Sequence, residues 1–441
     1  MTQLNPFRFC LWLAFGFAIV GCQKAAISPT ATSVPTSTPP PATPTPEIRV
    51  ISYELLPGAA AGEWRVVGLV ENQGKDSVGP IRLSVSLIDR AGERVAERST
   101  QILMSNLHPG EAGPFSVTFE AVNSPAEARV VPLAFEPADG QLADGPRAEL
   151  IAELEQFFTI GSGEFVLIGN LTNPGRSHIS LDSLNFLGLG PNGAELVVAV
   201  MLFGPGWLAP GETAPFLALA PENPGTVQWT QYHDGLIAEP PSAVALEIRG
   251  DPTLSFTAQG APFVVGTLAN GGRMASSGSV LVSLLDENRL VGLWEIGTPR
   301  PLQPGEQLAF AAFGSPGIRP RFKPSALGAV RVETRIEERP ADLGGPPVTL
   351  SVDVSVFLSE RSAIFIRGTI RNPMEFAVDG ATVYAEVRTA TGELVTAGWS
   401  ESQSLEPDQW ADFRLELPVP AGMDATLTEY DLRAIGLKAQ P

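Results

Sequence analysis

The stretch LHPGE, residues 107–111, decides the fold because close copies of it recur along the chain. The copies read LAPGE (208–212), LQPGE (302–306) and LEPDQ (405–409). In Leu-x-Pro-Gly, the proline presets φ at about −65° and the glycine supplies the positive φ that a type II turn needs next. The pattern therefore predicts one tight turn used four times, centred on Pro109, Gly110, Pro210, Gly211, Pro304, Gly305, Pro407 and Asp408.

The glutamate that ends three of these copies is not expected to be catalytic. A catalytic glutamate would not be expected in three units and then be replaced by Gln409 in the fourth. It would also need a partner base. We expect the three side chains to follow their turns in solvent, at Glu111, Glu212 and Glu306.

A second signature precedes each turn: a glycine followed four positions later by an asparagine. The pairs are Gly68 and Asn72, Gly169 and Asn173, Gly266 and Asn270, Gly368 and Asn372. The glycines recur about every 100 residues, and each turn is followed by a phenylalanine, at Phe115, Phe216, Phe310 and Phe413. A glycine inside a strand indicates a bulge or a close backbone approach, and an asparagine favours the start of a turn. The chain therefore contains four copies of one unit.

The segments between these signatures are typical of β-strands. IRLSVSLID (81–89) alternates apolar and polar residues with a period of two. RAELIAELEQFF (147–158) has a helix-forming composition, but its distance from Gly169 matches strand-like runs in the other units, so we predict a strand. About seven short antiparallel strands per unit fit an immunoglobulin-like sandwich. The predicted fold class is all-β, with four tandem immunoglobulin-like β-sandwich domains at 47–137, 147–240, 243–338 and 347–439.

The N-terminus predicts a signal peptide and a disordered linker before these domains. The apolar run from Phe9 to Val20 is too short to span a bilayer but suits a signal-peptide core. It ends in a sequence that resembles the bacterial lipobox, made of Ile19, Val20, Gly21 and Cys22. The resemblance implies that residues 1–21 are removed and that Cys22 is acylated. The alternative is an ordinary secretory signal with an incidental cysteine.

Residues 22–46 contain the acylated cysteine and a stretch rich in Pro, Thr and Ser, which favours extended conformations. At about 3.1 Å per residue, this linker could hold the folded part up to roughly 75 Å from the membrane.

Composition argues against several functions. The net charge of −19 disfavours binding to nucleic acid. The only cysteines are Cys10 and Cys22, so no disulfide is predicted in the folded part. One histidine lies in the first unit and two lie in the second, far apart in sequence, and no zinc, nucleotide or hydrolase motif is present. We therefore predict no catalytic residue, metal or cofactor.

Two stretches are candidate ligand contacts. In VQWTQYHDG (227–235), the rings could stack on a sugar while polar neighbours bind its hydroxyls; the residues are Trp229, Tyr232, His233 and Asp234. The alternative, which we favour, is the last strand of the second unit. In IRPRFK (318–323), an anionic envelope polymer could be bound by Arg319, Arg321 and Lys323. Here a solvated loop is the favoured alternative.

The order VVGLVENQG (66–74), VSLIDRAGERV (85–95) and LHPGEAGPF (107–115) resembles the FxLyD domain and is similar to the bacterial cell-adhesion-related (CARDB-like) repeats. The resemblance covers most of the first unit and the two signatures of the others. It implies an extracellular adhesion or scaffolding module and supplies no active site.

These patterns together predict a non-enzymatic cell-envelope lipoprotein that acts as a binding, adhesion or scaffolding module. The alternatives are a structural spacer or accessory subunit of an envelope complex and, less favoured, an envelope enzyme. The expected location is extracytoplasmic, with the chain anchored to the lipid bilayer through acylated Cys22. The expected partner is an unidentified envelope protein or glycan. An exposed apolar patch on one unit would favour binding over a spacer role.

Overall fold

The fold is all-β, as the period-two pattern predicts. The computed structural model describes residues 48–58, 60–123, 125–137, 147–160, 163–225, 227–239, 245–286, 289–313, 330–339, 346–359, 363–423 and 428–439. Every helix or strand in these ranges is a β-strand, and the strands pair antiparallel. Thr45–Pro441 form one structural unit. The four domain boundaries stay a prediction, and we call the four predicted ranges repeats 1 to 4.

Repeat 1 packs two three-stranded sheets face to face. Its strands are β1 (Ile48–Pro57), β2 (Trp64–Asn72), β3 (Val78–Ile88), β4 (Arg94–Gln101), β5 (Ala112–Phe119) and β6 (Glu127–Pro137). The strand orders are β1-β2-β5 and β4-β3-β6, and the core between the sheets includes Val66, Leu83 and Phe115. In every repeat we call the sheet with the signature glycine and phenylalanine sheet A, and the opposing sheet, sheet B.

Repeat 2 joins its two sheets at one edge. Its strands are β7 (Ile151–Thr159), β8 (Phe165–Thr172), β9 (His178–Ser180), β10 (Leu184–Leu189), β11 (Glu195–Phe203), β12 (Trp207–Leu208), β13 (Thr213–Ala220), β14 (Gln228–His233) and β15 (Leu236–Ala238). The order β14-β10-β11-β13-β8-β7 links sheet B to sheet A through β11 and β13, and β12-β9-β15 form a small third sheet. The helix-like stretch near 150 is strand β7, as predicted.

Repeat 3 has the same two sheets as repeat 1. Its strands are β16 (Leu246–Phe256), β17 (Pro262–Asn270), β18 (Ser277–Asp286), β19 (Arg289–Gly297), β20 (Gln307–Phe313) and β21 (Val330–Arg339). Sheet A has the order β16-β17-β20 and sheet B the order β19-β18-β21.

Repeat 4 also joins its sheets. Its strands are β22 (Pro347–Ser359), β23 (Ala363–Arg371), β24 (Val378–Thr389), β25 (Leu394–Trp399), β26 (Gln403–Leu405), β27 (Trp410–Pro418) and β28 (Thr428–Lys438). Sheet A is β22-β23-β27 and sheet B is β25-β24-β28, with β26 paired to β24. The first part of β22 pairs with β28 and the rest with β23, so this strand connects the two sheets.

A bulge accompanies the signature glycine in every repeat. The register of the first strand of sheet A shifts at Val50/Ser52, Leu154/Gln156, Arg249/Thr253 and Val354/Val356. A β-carbon on Gly68 would lie 2.7 Å from the Tyr53 β-carbon and 2.9 Å from the Phe115 ring. The glycine is therefore required where a bulged strand and an aromatic ring approach the same backbone, as the sequence predicts.

Successive side chains of a strand point to opposite faces, and in repeat 1 both faces of sheet A are buried. In β2, Val66 packs in the core of its own repeat. Its neighbour Val67 packs against Leu187 and Val198 on sheet B of repeat 2. Sheet A of repeat 1 therefore packs against sheet B of repeat 2.

The same contact joins repeat 2 to repeat 3 and repeat 3 to repeat 4. An apolar cluster between repeats 2 and 3 contains Val166, Ile168, Leu217, Leu281, Leu290 and Leu293. A smaller cluster between repeats 3 and 4 contains Phe263, Val265, Ala311 and Leu394. Each of the first three repeats thus stacks its sheet A on sheet B of the next repeat, head to tail.

Candidate functional site

The recurrent turns have the geometry that their sequence requires. The third residue of each turn has a positive φ: +76° at Gly110, +72° at Gly211, +79° at Gly305 and +59° at Asp408. In the first turn the Glu111 amide donates to the His108 carbonyl at 3.0 Å, which closes the turn. The proline and the residue after it, which is glycine in three turns and Asp408 in the fourth, therefore reverse the direction of the chain.

The signature asparagine fastens each turn to the strand before it. Asn72 is fully buried, and its Nδ2 donates to the carbonyl oxygens of Asp76 at 2.8 Å and Leu107 at 3.0 Å. The backbone carbonyl of Asn72 accepts from the Gly110 amide at 2.7 Å. The equivalent bonds form at Asn173, Asn270 and Asn372. A buried amide with all these partners fixes two loops in one position.

The expectation that the turn glutamates lie in solvent is wrong. The Glu111 carboxylate accepts from the backbone amide of His108 at 2.8 Å, and its side chain is only 24% exposed. Glu212 and Glu306 cap their own turns in the same way. In repeat 4 the uncharged Gln409 keeps this cap with its side-chain oxygen. The cap alone therefore does not need a charge, and the glutamates have a second role.

That second role is to pair with arginines at the contacts between repeats. Arg147, at the start of repeat 2, donates to both oxygens of Glu111 at 2.8 and 2.7 Å. Arg335, on β21 of repeat 3, pairs with Glu212 of repeat 2 and with Glu337 of its own repeat. Arg335 also stacks on the Trp207 ring at 5.1 Å. We call these contacts the joints.

At the joint between repeats 3 and 4, the third glutamate pairs with an arginine of its own repeat, and this arginine contacts the next repeat. Arg300, whose side chain is 4% exposed, pairs with Glu306 and lies over the Tyr384 ring of repeat 4 at 5.7 Å. Burial raises the pKa of Glu306, but the Arg300 hydrogen bond, the Gln303 amide and the charges of Arg300 and Arg433 together hold that pKa below its ordinary value. Burial also raises the pKa of Tyr384 to about 12.

The lowered pKa makes a pH-dependent prediction for Glu306→Gln. A carboxyl whose pKa is lower in the folded state stabilises the fold above its unfolded pKa, and this contribution is lost as pH falls through the folded pKa. We expect the variant to be less stable by about 1 to 2 kcal/mol at pH 7. The difference should shrink below pH 4.5, the ordinary value for this group. Urea unfolding of both proteins at neutral and acidic pH measures it; a difference that does not vary with pH would contradict the assignment.

The candidate stretch around Trp229 is the last strand of sheet B in repeat 2. Trp229 packs on the core of its own repeat, with its ring 6.5 Å from that of Phe165. Tyr232 packs in the apolar cluster between repeats 1 and 2. His233 is half-buried, and its Nδ1 accepts from the Gly235 amide at 3.2 Å. Burial, and then the charge of Arg147, lower the pKa of His233, so the ring is neutral at pH 7.

Asp234 is a buried acceptor between repeats 1 and 2. It is 4% exposed, and one of its oxygens accepts from the Ser105 hydroxyl of repeat 1 at 2.8 Å and the Ser183 hydroxyl at 2.9 Å. Three backbone amides complete the set, those of Ser105, Asp182 and Ser183. The Asp234 carboxylate and His233 Nδ1 are therefore used within the protein, and the strand alternative explains the placement of this stretch.

Several predicted site residues lie outside the described residues: Ile19, Val20, Gly21, Cys22, Arg319, Arg321 and Lys323. Within the described ranges, no group of three or more His, Cys, Asp or Glu residues could hold a metal ion. The described part of the chain also contains no helix of the length and apolarity that a membrane span requires.

Comparisons with known proteins add little to this picture. No family model and no curated protein matches the chain. Among solved structures, the chain is similar to the native conformation of E. coli alpha-2-macroglobulin, with 12% sequence identity and a TM-score of 0.13. The match covers 88% of this chain and 26% of that one, so the chain spans about a quarter of the structure it matches. A TM-score this low supports no conclusion about fold or function. The resemblance to FxLyD and cell-adhesion-related repeats stays a prediction.

Proposed function

We propose that the chain is a non-enzymatic scaffold of the cell envelope that carries a binding surface. The observation that supports it most is the recurrence of one joint: sheet A of a repeat on sheet B of the next, with the turn glutamate beside an arginine. Repeats connected only by flexible linkers would move independently. Repeats joined by buried apolar faces and charge pairs act as one rigid body.

The joint between repeats 2 and 3 illustrates the rigidity. Ile168 and Leu217 of repeat 2 and Leu281 of repeat 3 are fully buried in one cluster. Beside it, the Glu337 carboxylate of repeat 3 accepts from the Gly206 amide of repeat 2 at 3.1 Å. Sliding one repeat on the other would expose the apolar side chains and break the charged pairs together, so the two restraints support each other.

In this proposal the scaffold stands outside the membrane. Acylated Cys22 inserts in the bilayer, and residues 23–46 hold the four repeats away from it. The partner is an envelope protein or glycan, and the acidic charge disfavours nucleic acid as a partner. A pure spacer is the alternative. Repeat 4 favours the binding role, since four of five consecutive residues of β22 are large, apolar and exposed: Val354, Val356, Phe357 and Leu358.

Distances between spin labels on repeats 2 and 3 test the proposal. We would replace the exposed Arg176 and Glu247 with cysteine, attach nitroxides and measure the distance distribution in the full-length protein in nanodiscs. The expected distribution is narrow. Arg335→Ala should broaden it, because Glu212 and Glu337 lose their common partner.

Arg331→Ala is the matched control for this experiment. Arg331 lies on the same strand as Arg335, but its side chain is 58% exposed and pairs with Glu333 of its own repeat. This variant should leave the distribution unchanged. A broad distribution in the unaltered protein would contradict a rigid scaffold.

A further inference from the structure

Sheet A of repeat 4 differs from its counterparts in repeats 1 to 3 at one informative position. The residue before the signature glycine points away from the core of its own repeat. It is the buried Val67, Ile168 and Val265 in the first three repeats and the exposed Arg367 in the fourth. Gln409 also replaces the turn glutamate that the other repeats use at their joints. This face is therefore not built for the contact that stacks the repeats.

A groove of about 780 Å³ lies on this face. Its volume falls in the range of about 300 to 1,000 Å³ that is usual for small-ligand sites. Polar groups from three adjacent strands, from β26 and from the β25–β26 connection line it, among them Ser355, Arg367, Thr369, Glu401, Asp412 and Arg414. The groove crosses the sheet toward β27, an edge strand of the sheet.

Two side chains of the groove bond to its backbone: the Ser355 hydroxyl donates to the Arg367 carbonyl at 3.3 Å and the Gln403 amide donates to the Asp412 carbonyl at 2.8 Å. Other polar groups of the groove are not committed in this way. The side chains of Arg367, Thr369 and Asp412 have no hydrogen bond or ion pair within the described part of the chain. Arg414 and Glu416 are 3.8 Å apart, which is a loose pair. The joint arginine Arg147, by contrast, is within 2.8 Å of both oxygens of its glutamate. Donors and acceptors in the groove therefore remain available to a ligand.

An exposed aromatic ring extends the same face. Trp410 is 54% exposed and alternates with Asp412 and Arg414 along β27, so the three side chains share one side of the sheet. Arg371 lies over the Trp410 ring at 5.4 Å and donates to Asp408 at 2.8 Å. The indole is held from one side by this stack.

We propose that this groove binds an extended, uncharged glycan, with Trp410 as a stacking platform at one end. Five charged side chains line the groove: the guanidiniums of Arg367 and Arg414, which are opposite each other on two paired strands, and the carboxylates of Glu401, Asp412 and Glu416. Both signs are therefore present, with a net charge of −1. An anionic polymer would meet repulsion from three of these groups and a cationic polymer from two. A sugar hydroxyl is both donor and acceptor, and it can donate to a carboxylate while accepting from a guanidinium. The glycan site rests on the proposed binding scaffold and names its ligand class.

Binding of two neutral probes to the full-length protein in nanodiscs tests the site. The probes are the hexamers of N-acetylglucosamine and of glucose, titrated by calorimetry. We expect saturable binding of at least one hexamer, with little dependence on salt. Arg367→Ala and Asp412→Asn should each weaken it about tenfold, the loss of one charge-assisted hydrogen bond. Arg249→Ala, at an exposed ion pair of repeat 3, is the matched control and should leave binding unchanged.

Asp412→Asn separates a glycan from an anionic polymer. Removing a carboxylate should weaken the binding of a hydroxyl-rich ligand but strengthen that of an anion such as poly(glycerol phosphate). Binding of neither hexamer at millimolar concentration would overturn the proposal, as would salt-sensitive binding of the phosphate polymer that Asp412→Asn improves. A narrow distribution of spin-label distances without glycan binding would contradict the glycan site and leave the rigid scaffold supported. A broad distribution with glycan binding would contradict the rigid scaffold and leave the glycan site supported.

Discussion

Gly169→Ala is expected to lower the free energy of unfolding by about 3 kcal/mol or more, because overpacking here is against backbone. A β-carbon at this position would lie 3.0 Å from the carbonyl carbon of Glu153, closer still to its oxygen, and 3.1 Å from the Leu154 α-carbon. These atoms form the bulge of β7 and have no rotamer that moves them away. The strand would have to separate from β8 at the centre of repeat 2.

Gly297→Ala is the matched control for this substitution. Gly297 ends strand β19, is exposed, and has no atom within 4 Å of the β-carbon that alanine would add. The free energy of unfolding of the Gly297→Ala variant should differ from that of the unaltered protein by no more than about 0.5 kcal/mol. Urea unfolding of both variants gives the comparison, and equal midpoints for the two would show that the bulge yields at little cost.

The glycine and its bulge are predictable from sequence because their signal is local and recurs. Every unit repeats the spacing from Gly169 to Asn173 and the turn at Pro210. Chance is therefore excluded as the cause of this recurrence, without any knowledge of contacts. The strand β7 follows from the same alignment, which outweighed a helix-forming composition. The position of this segment in the repeat outweighs its helix propensity and makes it a strand, as tertiary context often does.

The joints could not be predicted in the same way, since they depend on pairs that are distant in sequence. Arg335 and Glu212 are 123 residues apart, and nothing local to either residue indicates the other. The sequence contains one signal of the joints: the glutamate is kept in three turns, while Gln409 replaces it in the fourth. Glutamine closes the turn as well, so the glutamate in the three repeats that contact a following repeat indicates a role for its charge.

The groove on repeat 4 has a weaker signal in the sequence. Its alternation of Trp410, Asp412, Arg414 and Glu416 is that of any half-exposed strand. Only the comparison of Arg367 with the apolar residues at the same position of the other repeats shows that this face is different. This difference is informative because the structure shows that those apolar residues are covered by the next repeat.

Asp234→Ala is expected to destabilise the protein by about 3 kcal/mol or more, because a buried charged acceptor is removed and its donors are left without a partner. Five donors converge on this carboxylate, two of them on Ser105 of repeat 1. The backbone amides cannot turn toward other acceptors without moving the Asp182–Ser183 loop. Urea unfolding measures the loss, and hydrogen exchange should show faster exchange at Ser105 and Ser183 first.

Asp234→Asn tests whether the acceptor or only the side-chain volume matters. The amide fills the same space but directs an NH₂ group at N–H and O–H donors, so we expect it to lose most of the stability that alanine loses. Asp379→Ala is the control, since that exposed carboxylate accepts one bond, from the Ser404 hydroxyl at 2.9 Å. A stable Asp234→Asn variant would mean that packing holds repeats 1 and 2 together without this carboxylate. The charged pair of Glu111 and Arg147 would then be the polar contact on which that joint depends.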